Sequence, residues 1–363
     1  MFPACNRGMA EYKKQHYVPQ HFLRNFSDGN RTVAYNIENE KEYPPTPVAN
    51  LCYENYFYDD DGEIEQVLSE LEGTHASVLR KLTSNRNLNQ LDRNEENNLL
   101  SFITLQSART KADRIDQEEQ MQALVTHIAK IDAEQGGEMT SEIVDKLKER
   151  KIRVKDDGMH TYSMLVAHSS IPLITDLNGV LIENKTETQF ITSDRPIIKD
   201  NPKFKGKRER FLVGFQCPGL QIFCPLSPQS YLMLYDPNWY LLNSNKERRV
   251  SIQSKDQIDS LNKMQLIYAN ESVFYQQEQR EEEIHQLLDE ISYHRQNTMH
   301  TFNVLSPDEH NLDSENEIIE SGHYVPSYSP DLPFVRNKAG DDARAVRNPD
   351  LYELHRMYVS EEL

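Results

Sequence analysis

No stretch of this 363-residue sequence approaches the roughly 20 consecutive apolar residues that a membrane-spanning helix requires. Hydrophobic residues are also scarce, at 37%, which predicts a modest core under much solvated helix surface. The opening "MFPACNRGMAEYKKQ" lacks the apolar stretch of a secretory signal. "MAEYKKQHYVP" reads as the natural start, with residues 1–8 an appendage. Together these absences lead to the expectation of a soluble, cytoplasmic protein. Cysteine is limited to Cys5, Cys52, Cys217 and Cys224, scattered without a C-x-x-C pair. That spacing argues against a zinc site and for small core residues or surface thiols in a reducing compartment. No G-x-G-x-x-G or Walker-type loop joins an expected strand to an expected helix, so a nucleotide fold has no support. Basic charge is in deficit as well, with 40 Lys and Arg against 58 Asp and Glu and a net charge of −18. That balance argues against broad nonspecific nucleic-acid binding, which depends on neutralising phosphates, and does not exclude a nuclease with a locally basic cleft.

What is present is helical periodicity, followed by strand patterning. Pro19 suits the first turn of a short helix, since its missing N–H would be unpaired there. "RTVAYNIE" reads as a strand and "YPPTPVAN" as an extended loop. Ile64, Val67, Leu68, Leu71, Val78, Leu79 and Leu82 form one stripe of a helix over 63–85, which Gly73 interrupts without ending. A second long helix is expected from Asp92 to about 133, burying Leu99, Ile103, Leu124 and Ile128, and a third from an N-cap at Ser141. A helix before Pro172 follows. "GVLIENKTETQFITSD" reads as two strands joined at Asn184–Lys185, and "LQIFCPLSP" and "YLMLYD" as another pair. "KDQIDSLNKMQLIYA" and 279–300 are expected helices, with "SVFY" a strand between them.

This order predicts an α+β fold: a helical block over about 63–178, then an antiparallel strand-rich block over about 179–275. Residues 14–300 read as one domain after an extension at 1–13. Residues 301–363, rich in Asp, Glu, Asn and Pro, are expected to form an acidic tail, extended, partly disordered or wrapped on the body. A short helix is expected there near 351–358. The tail repeats "HYVP" at 323, which reads as chance or as an extended aromatic segment docked on the body.

"KQHYVPQHFLRNFS", "LQSARTKADR", "FITSDRP", "FCPLSP" and "LNKMQLIYANESVFY" occur in an order that resembles a bacterial family catalogued as a domain of unknown function, DUF4238. Arg195 stands where that family usually has Asn. The resemblance draws attention to Asn262, Gln265 and Tyr275 and implies no activity.

Candidate chemistry begins with His16, Gln20 and Arg24. Gln20 and Arg24 lie one helical turn apart on one face, with His16 just upstream. An imidazole, an amide and a guanidinium brought together can hold a phosphate or carboxylate and move a proton. The plainer reading is that Tyr17, Phe22, Leu23 and Phe26 staple the segment to the core. Arg109, beside Gln106, either joins this cluster as an anion clamp or forms an internal salt bridge to Glu70 or Glu72. Ser193 and Asp194 sit in a turn set by Pro196, where Asp194 can bind a metal or activate water, or close an Asx turn. Asp176 and Glu183-x-Lys185 match the loose pattern of metal-dependent nucleases, in which carboxylates hold Mg²⁺ or Mn²⁺. Asn184–Lys185 is equally a plain hairpin turn. Arg-to-His pairs at Arg153–His160, Arg280–His285 and Arg295–His300 are about as frequent as composition alone produces.

The expectation from sequence is therefore a phosphodiester hydrolase, an RNase- or nuclease-like effector in bacterial stress or phage defence. His16 would be its acid–base group and Arg24 and Arg109 its phosphate clamp, while Asp194, with Gln20, would hold water or a metal. The competing expectation is a non-catalytic module that uses the same polar cluster as an anion or partner site and forms a homodimer through the helical block. Geometry separates them: catalysis needs these groups within one substrate's width.

Overall fold

Strands that read as nearly continuous apolar runs need cover on both faces, and the second half of the chain supplies such runs. The structure, a computed structural model, describes residues 13–154, 158–205, 208–209, 213–276, 278, 280–295, 300–305, 318–338 and 346–362. Its helices are α1 (Gln20–Leu23), α2 (Glu63–Asn85), α3 (Arg93–Gln106), α4 (Lys111–Glu134), α5 (Ser141–Lys148), α6 (Met159–Ser169), α7 (Lys255–Tyr268), α8 (Glu281–Ile291) and α9 (Pro349–Glu362).

A five-stranded sheet runs in the order Arg249–Ile252, Asn178–Asn184, Ser230–Tyr235, Gln221–Ser227 and Ile198–Asp200. Its pairs are antiparallel except the first, which is parallel. Alternation sends Leu181, Leu232, Ile222 and Cys224 to one face, where Phe22, Leu79, Leu82, Phe102 and Ile103 from α1–α3 complete a core. Val180, Ile182, Met233 and Phe223 point the other way, onto Ile258, Leu261, Ile284 and Leu287 of α7 and α8. The result is helix, sheet, helix, an α+β architecture with its central strands buried on both sides. Each fully buried Leu, Ile or Phe here contributes about 1.5–3 kcal/mol.

A four-stranded sheet runs Lys41–Pro47, Arg31–Asn36, Ser272–Tyr275 and Thr192–Ser193. The expected loop "YPPTPVAN" thus contributes an edge strand. Its Pro44 and Pro45 fall in the register shift between Thr32 and Ala34, where the ladder needs no N–H from them. The expected hairpin around Asn184–Lys185 does not form. Asn178–Asn184 pairs with Ser230–Tyr235, while Thr192–Ser193 crosses to the other sheet and pairs with Ser272–Tyr275. Asn184 instead folds the turn onto itself, its Nδ2 donating to the carbonyls of Thr188 and Pro228.

The second long helix is two helices. Asp92 caps α3 with a capping box to Glu95, as its sequence position implies, but Thr110 opens α4 with a second box, to Asp113. That box breaks the helix across 107–110, and the changed phase leaves Ile128 exposed. The N-cap of α5 is Thr140, one residue before the expected Ser141.

The described parts of 301–363 pack against the body. His300–Leu305 pairs with Ile318–Tyr324, Val335–Asn337 pairs with Tyr240–Leu242, and α9 covers 349–362. Arg347 is buried against Asp176. The second "HYVP" is an extended docked segment, with Tyr324 and Val325 buried in the two cores. Cys52, Cys217 and Cys224 are buried free thiols, whereas Cys5 and residues 1–12 generally lie outside the described residues. Among the described residues, no helix is long and apolar enough to cross a membrane.

Candidate active site

His16 ends the short strand Lys14–His16, held antiparallel to Tyr53–Asn55. Pro19 then starts α1, so the polar residues of the N-terminal motif are presented within one turn of each other. The His16 ring is buried, with Nε2 3.4 Å from the Ala49 carbonyl. A carbonyl only accepts, so Nε2 carries the hydrogen and Nδ1 is left as the acceptor. Burial holds this imidazole below its ordinary pKa, so it is neutral at pH 7.

Arg24 is exposed and held from two sides by amides. Its Nη2 donates to Gln20 Oε1 at 2.9 Å and its Nε to Asn30 Oδ1 at 3.0 Å. Among the described residues no carboxylate pairs with it. A guanidinium oriented by neutral acceptors keeps its full charge for an incoming anion.

The facing wall is α2. Glu65, Ser69, Glu72 and Gly73 recur at helical spacing, and with His16, Gln20, His21 and Arg24 they line a polar cleft of about 330 Å³. The two glutamates differ. Burial by itself would raise the Glu72 carboxyl, but Arg109 and His21 outweigh it and hold Glu72 at about 2. Burial raises Glu65 to about 7, with Glu72 and Asp59 adding to the shift and Arg109 opposing it. One Glu65 oxygen is buried without a hydrogen-bond partner, as is His21 Nε2. His21 Nδ1 lies 3.7 Å from Glu72 Oε2. Two carboxyls whose environments push them apart are the arrangement that lets one act as an acid while its neighbour stays ionised.

Arg109 does reach the N-terminal cluster, but from behind. It is 1% exposed, and its Nη2 donates to Glu72 Oε1 and to the His16 carbonyl, each at 2.7 Å. Its Nε donates to Tyr58 Oη at 3.0 Å. This is the internal salt bridge to Glu72 weighed from sequence, and the guanidinium positions Glu72 and the His16 backbone rather than facing the cleft.

Asp194, Ser193 and Asn262 are not brought to the cleft. The Asp194 carboxylate accepts backbone N–H groups from Asn270, Glu271 and Ser272 at 2.7–3.0 Å, pinning the turn that leads into the strand Ser272–Tyr275. Burial raises it to about 6 against the pull of those three donors. Ser193 Oγ donates to Gln265 Oε1 at 2.7 Å. Asn262 accepts from the Ile191 N–H and donates to the Gln189 carbonyl, and so acts as a strand partner for that segment. Arg195 bridges Asp113 and Asp116 at 2.5 and 3.2 Å, tying this loop to the start of α4. These residues brace the fold.

Asp176 and Glu183 are also occupied, and they stand apart. Asp176 takes a bidentate pair from Arg347, and Glu183 is paired by Arg86 and Lys185, both at 2.8 Å. They flank opposite ends of Asn178–Asn184, and the strand rise alone puts about 16 Å between Asn178 and Glu183. Among the described residues no group of three His, Cys, Asp or Glu side chains is disposed to hold a metal ion.

The fold and cleft thus define an α+β protein with a polar, acid–base-capable pocket between its N-terminal motif and its first long helix. The family model described as protein of unknown function (DUF4238) matches residues 14–279, and the chain belongs to that family. No curated protein and no solved structure matches the chain. Of the cleft residues, the sequence points to His16, Gln20 and Arg24, and to Glu72 only as a salt-bridge partner of Arg109, whereas His21, Glu65 and Ser69 are not singled out. The one available signal was the seven-residue spacing of Glu65 and Glu72, which puts both on one face of α2.

Proposed function

We propose that the cleft is the active site of a phosphodiester hydrolase. His16 acts as the general base, Glu65 as the general acid, and Arg24, with Gln20, as the phosphate clamp. The observation that carries this reading is Arg24: a cation held in place by two amides and, among the described residues, without a carboxylate, at a pocket containing a neutral histidine and a carboxyl raised to about 7. A base already neutral at pH 7 and an acid that titrates at about 7 suit proton transfer in both directions near neutrality. Glu72 and Arg109 position the wall. Asp194 has no part in this chemistry, which replaces its expected role with that of Glu65.

The test is incubation of the purified protein with RNA and with single- and double-stranded DNA, in Mg²⁺, Mn²⁺ or EDTA. Cleavage that His16→Ala and Glu65→Gln each reduce by about 100-fold is the expected result. Tight oligonucleotide binding without turnover under every condition would favour the non-catalytic anion-binding reading. Growth arrest on expression, relieved by His16→Ala, would place the activity in a cytoplasmic stress or defence effector. A homodimer through the helical block is supported by Val67 and Leu165, exposed at 58% and 62% on neighbouring faces of α2 and α6. Light scattering on Val67→Lys would test that pairing.

A further inference from the structure

The groups in the cleft bear on which phosphodiester it cuts. We infer that the substrate is RNA and that the attacking nucleophile is the substrate's own 2′-hydroxyl, a conclusion that rests on the hydrolase reading above.

A DNA diester offers no internal nucleophile, so its hydrolysis needs an enzyme side chain or an external water, the latter commonly activated by carboxylate-held divalent cations. The carboxylates lining this cleft are poorly suited to that task. Glu72 is committed to Arg109 at 2.7 Å and lies 3.7 Å from His21, and Glu65 shares its wall with no third carboxylate. What the cleft does offer, among the described residues, is a neutral imidazole whose Nε2 faces the Ala49 carbonyl and leaves Nδ1 as the acceptor, a carboxyl raised to about 7, and a guanidinium held by two amides without a carboxylate. A base, an acid and a cation suffice when the nucleophile is already tethered to the phosphorus. Intramolecular attack carries an effective molarity of about 10⁵–10⁸ M, which replaces the activation a metal would give to water.

The step balances without a co-reactant. His16 Nδ1 takes the 2′-hydroxyl proton as the 2′-oxygen bonds to phosphorus. Arg24 holds a nonbridging oxygen while charge develops on it. The bond from phosphorus to the 5′-oxygen breaks, and that oxygen receives the proton from Glu65. The products are a 2′,3′-cyclic phosphate and a 5′-hydroxyl, leaving His16 protonated and Glu65 ionised. A water molecule entering in place of the leaving alcohol can reverse these roles and open the cyclic phosphate, with Glu65 now the base and His16 the acid.

The experiment uses the full chain in EDTA with three matched single-stranded oligonucleotides: all-RNA, all-DNA, and RNA carrying one 2′-deoxy residue. Products are read by mass spectrometry. Cleavage of RNA to cyclic-phosphate ends, with the deoxy position uncut, is the expected outcome. Comparable cutting of DNA, or cutting at the deoxy position, overturns the 2′-hydroxyl mechanism and leaves the phosphodiesterase reading standing. Cutting only when a divalent metal is restored likewise overturns the mechanism alone. No cleavage of any oligonucleotide, with or without metal, overturns both. Glu65→Gln and His16→Ala, checked by circular dichroism for folding, should each lower the RNA rate by about 100-fold. Glu65→Gln should in addition abolish the alkaline limb of the pH profile, which a merely structural change would leave in place.

Discussion

Two polar regions of this molecule were equally prominent in the sequence, and they are built in opposite ways. Around Asp194 most of the polar groups are spent on the chain itself, Thr192 Oγ1 and Gln189 Oε1 aside: three backbone N–H groups on one carboxylate, Ser193 on Gln265, and Asn262 on both sides of a peptide segment. Around His16 they are held but not exhausted. Among the described residues Arg24 has amide partners and no carboxylate, His21 Nε2 and one Glu65 oxygen lack hydrogen-bond partners, and His16 has its Nδ1 left as the acceptor. Satisfied buried networks rigidify a fold, whereas unsatisfied polar groups at a cleft are costly to keep and mark places where a ligand completes the bonding. The first region braces the fold, and the second is the candidate site.

The strongest way to break this comparison is to remove the brace. Asp194→Ala strips the acceptor from three backbone N–H groups and should cost about 3–5 kcal/mol of stability, read from urea unfolding midpoints. Asp194→Asn keeps one acceptor oxygen but turns an amide N–H₂ toward donors, so it should lose less and stay folded enough to assay. If Asp194→Asn abolished cleavage with stability intact, Asp194 would belong to the chemistry after all. Arg109→Ala comes next. It leaves Glu72 in the cleft wall without its counter-charge, with an expected loss of about 3 kcal/mol. Glu72→Gln should restore part of that loss in the double variant, because the uncompensated carboxylate is then gone.

Smaller in stability but larger in activity is the loss of the acid. Glu65→Gln should lower the cleavage rate about 100-fold, and its pH signature is specific. Wild-type rate should fall as pH rises through about 7, where Glu65 loses the proton it donates, and fall again in acid below the ordinary histidine range, where His16 becomes protonated. The same group sets a stability trend. Its folded pKa of about 7 lies above the 4.5 of an ordinary glutamate. Its contribution is therefore fully present below about 4.5 and is lost as pH rises through about 7. Glu65→Gln, neutral throughout, should lack that loss when melting temperatures are compared at pH 6 and 8.

Much of this architecture was legible in the sequence where one local rule acted alone. The stripe from Ile64 to Leu82 gave α2, the strands 221–227 and 230–235 paired as their proximity implies, and Asp92 capped α3. Reading failed where two rules competed. Thr110 and Asp113 form a capping box inside a run of good helix formers, so the box divided what periodicity alone would join. Asn178–Asn184 and Thr192–Ser193 are near neighbours in the chain, but apolar alternation on both faces sent the first to the central sheet. The site was half legible for a similar reason. His16, Gln20 and Arg24 share one turn, whereas Glu65 and Glu72 are nearly 50 residues away and look like any solvated helix face until packing puts them opposite.

The smallest expected effect is the sharpest test of whether the cleft differs from the brace. Arg24 is exposed, and Gln20 and Asn30 hold its planar fork through two separate nitrogens. Arg24→Lys keeps the charge but has a single nitrogen that cannot satisfy both amides and still face a phosphate. Stability should stay within about 0.5 kcal/mol, as for most exposed substitutions. KM for RNA should rise several-fold and kcat should fall with it, because the clamp holds the phosphate from binding through the step in which charge develops on it. Should Arg24→Lys instead destabilise the fold by more than about 1 kcal/mol with KM unchanged, Arg24 would be a strut like Asp194. The amides would then be its purpose rather than its support, and the contrast between the two regions would collapse.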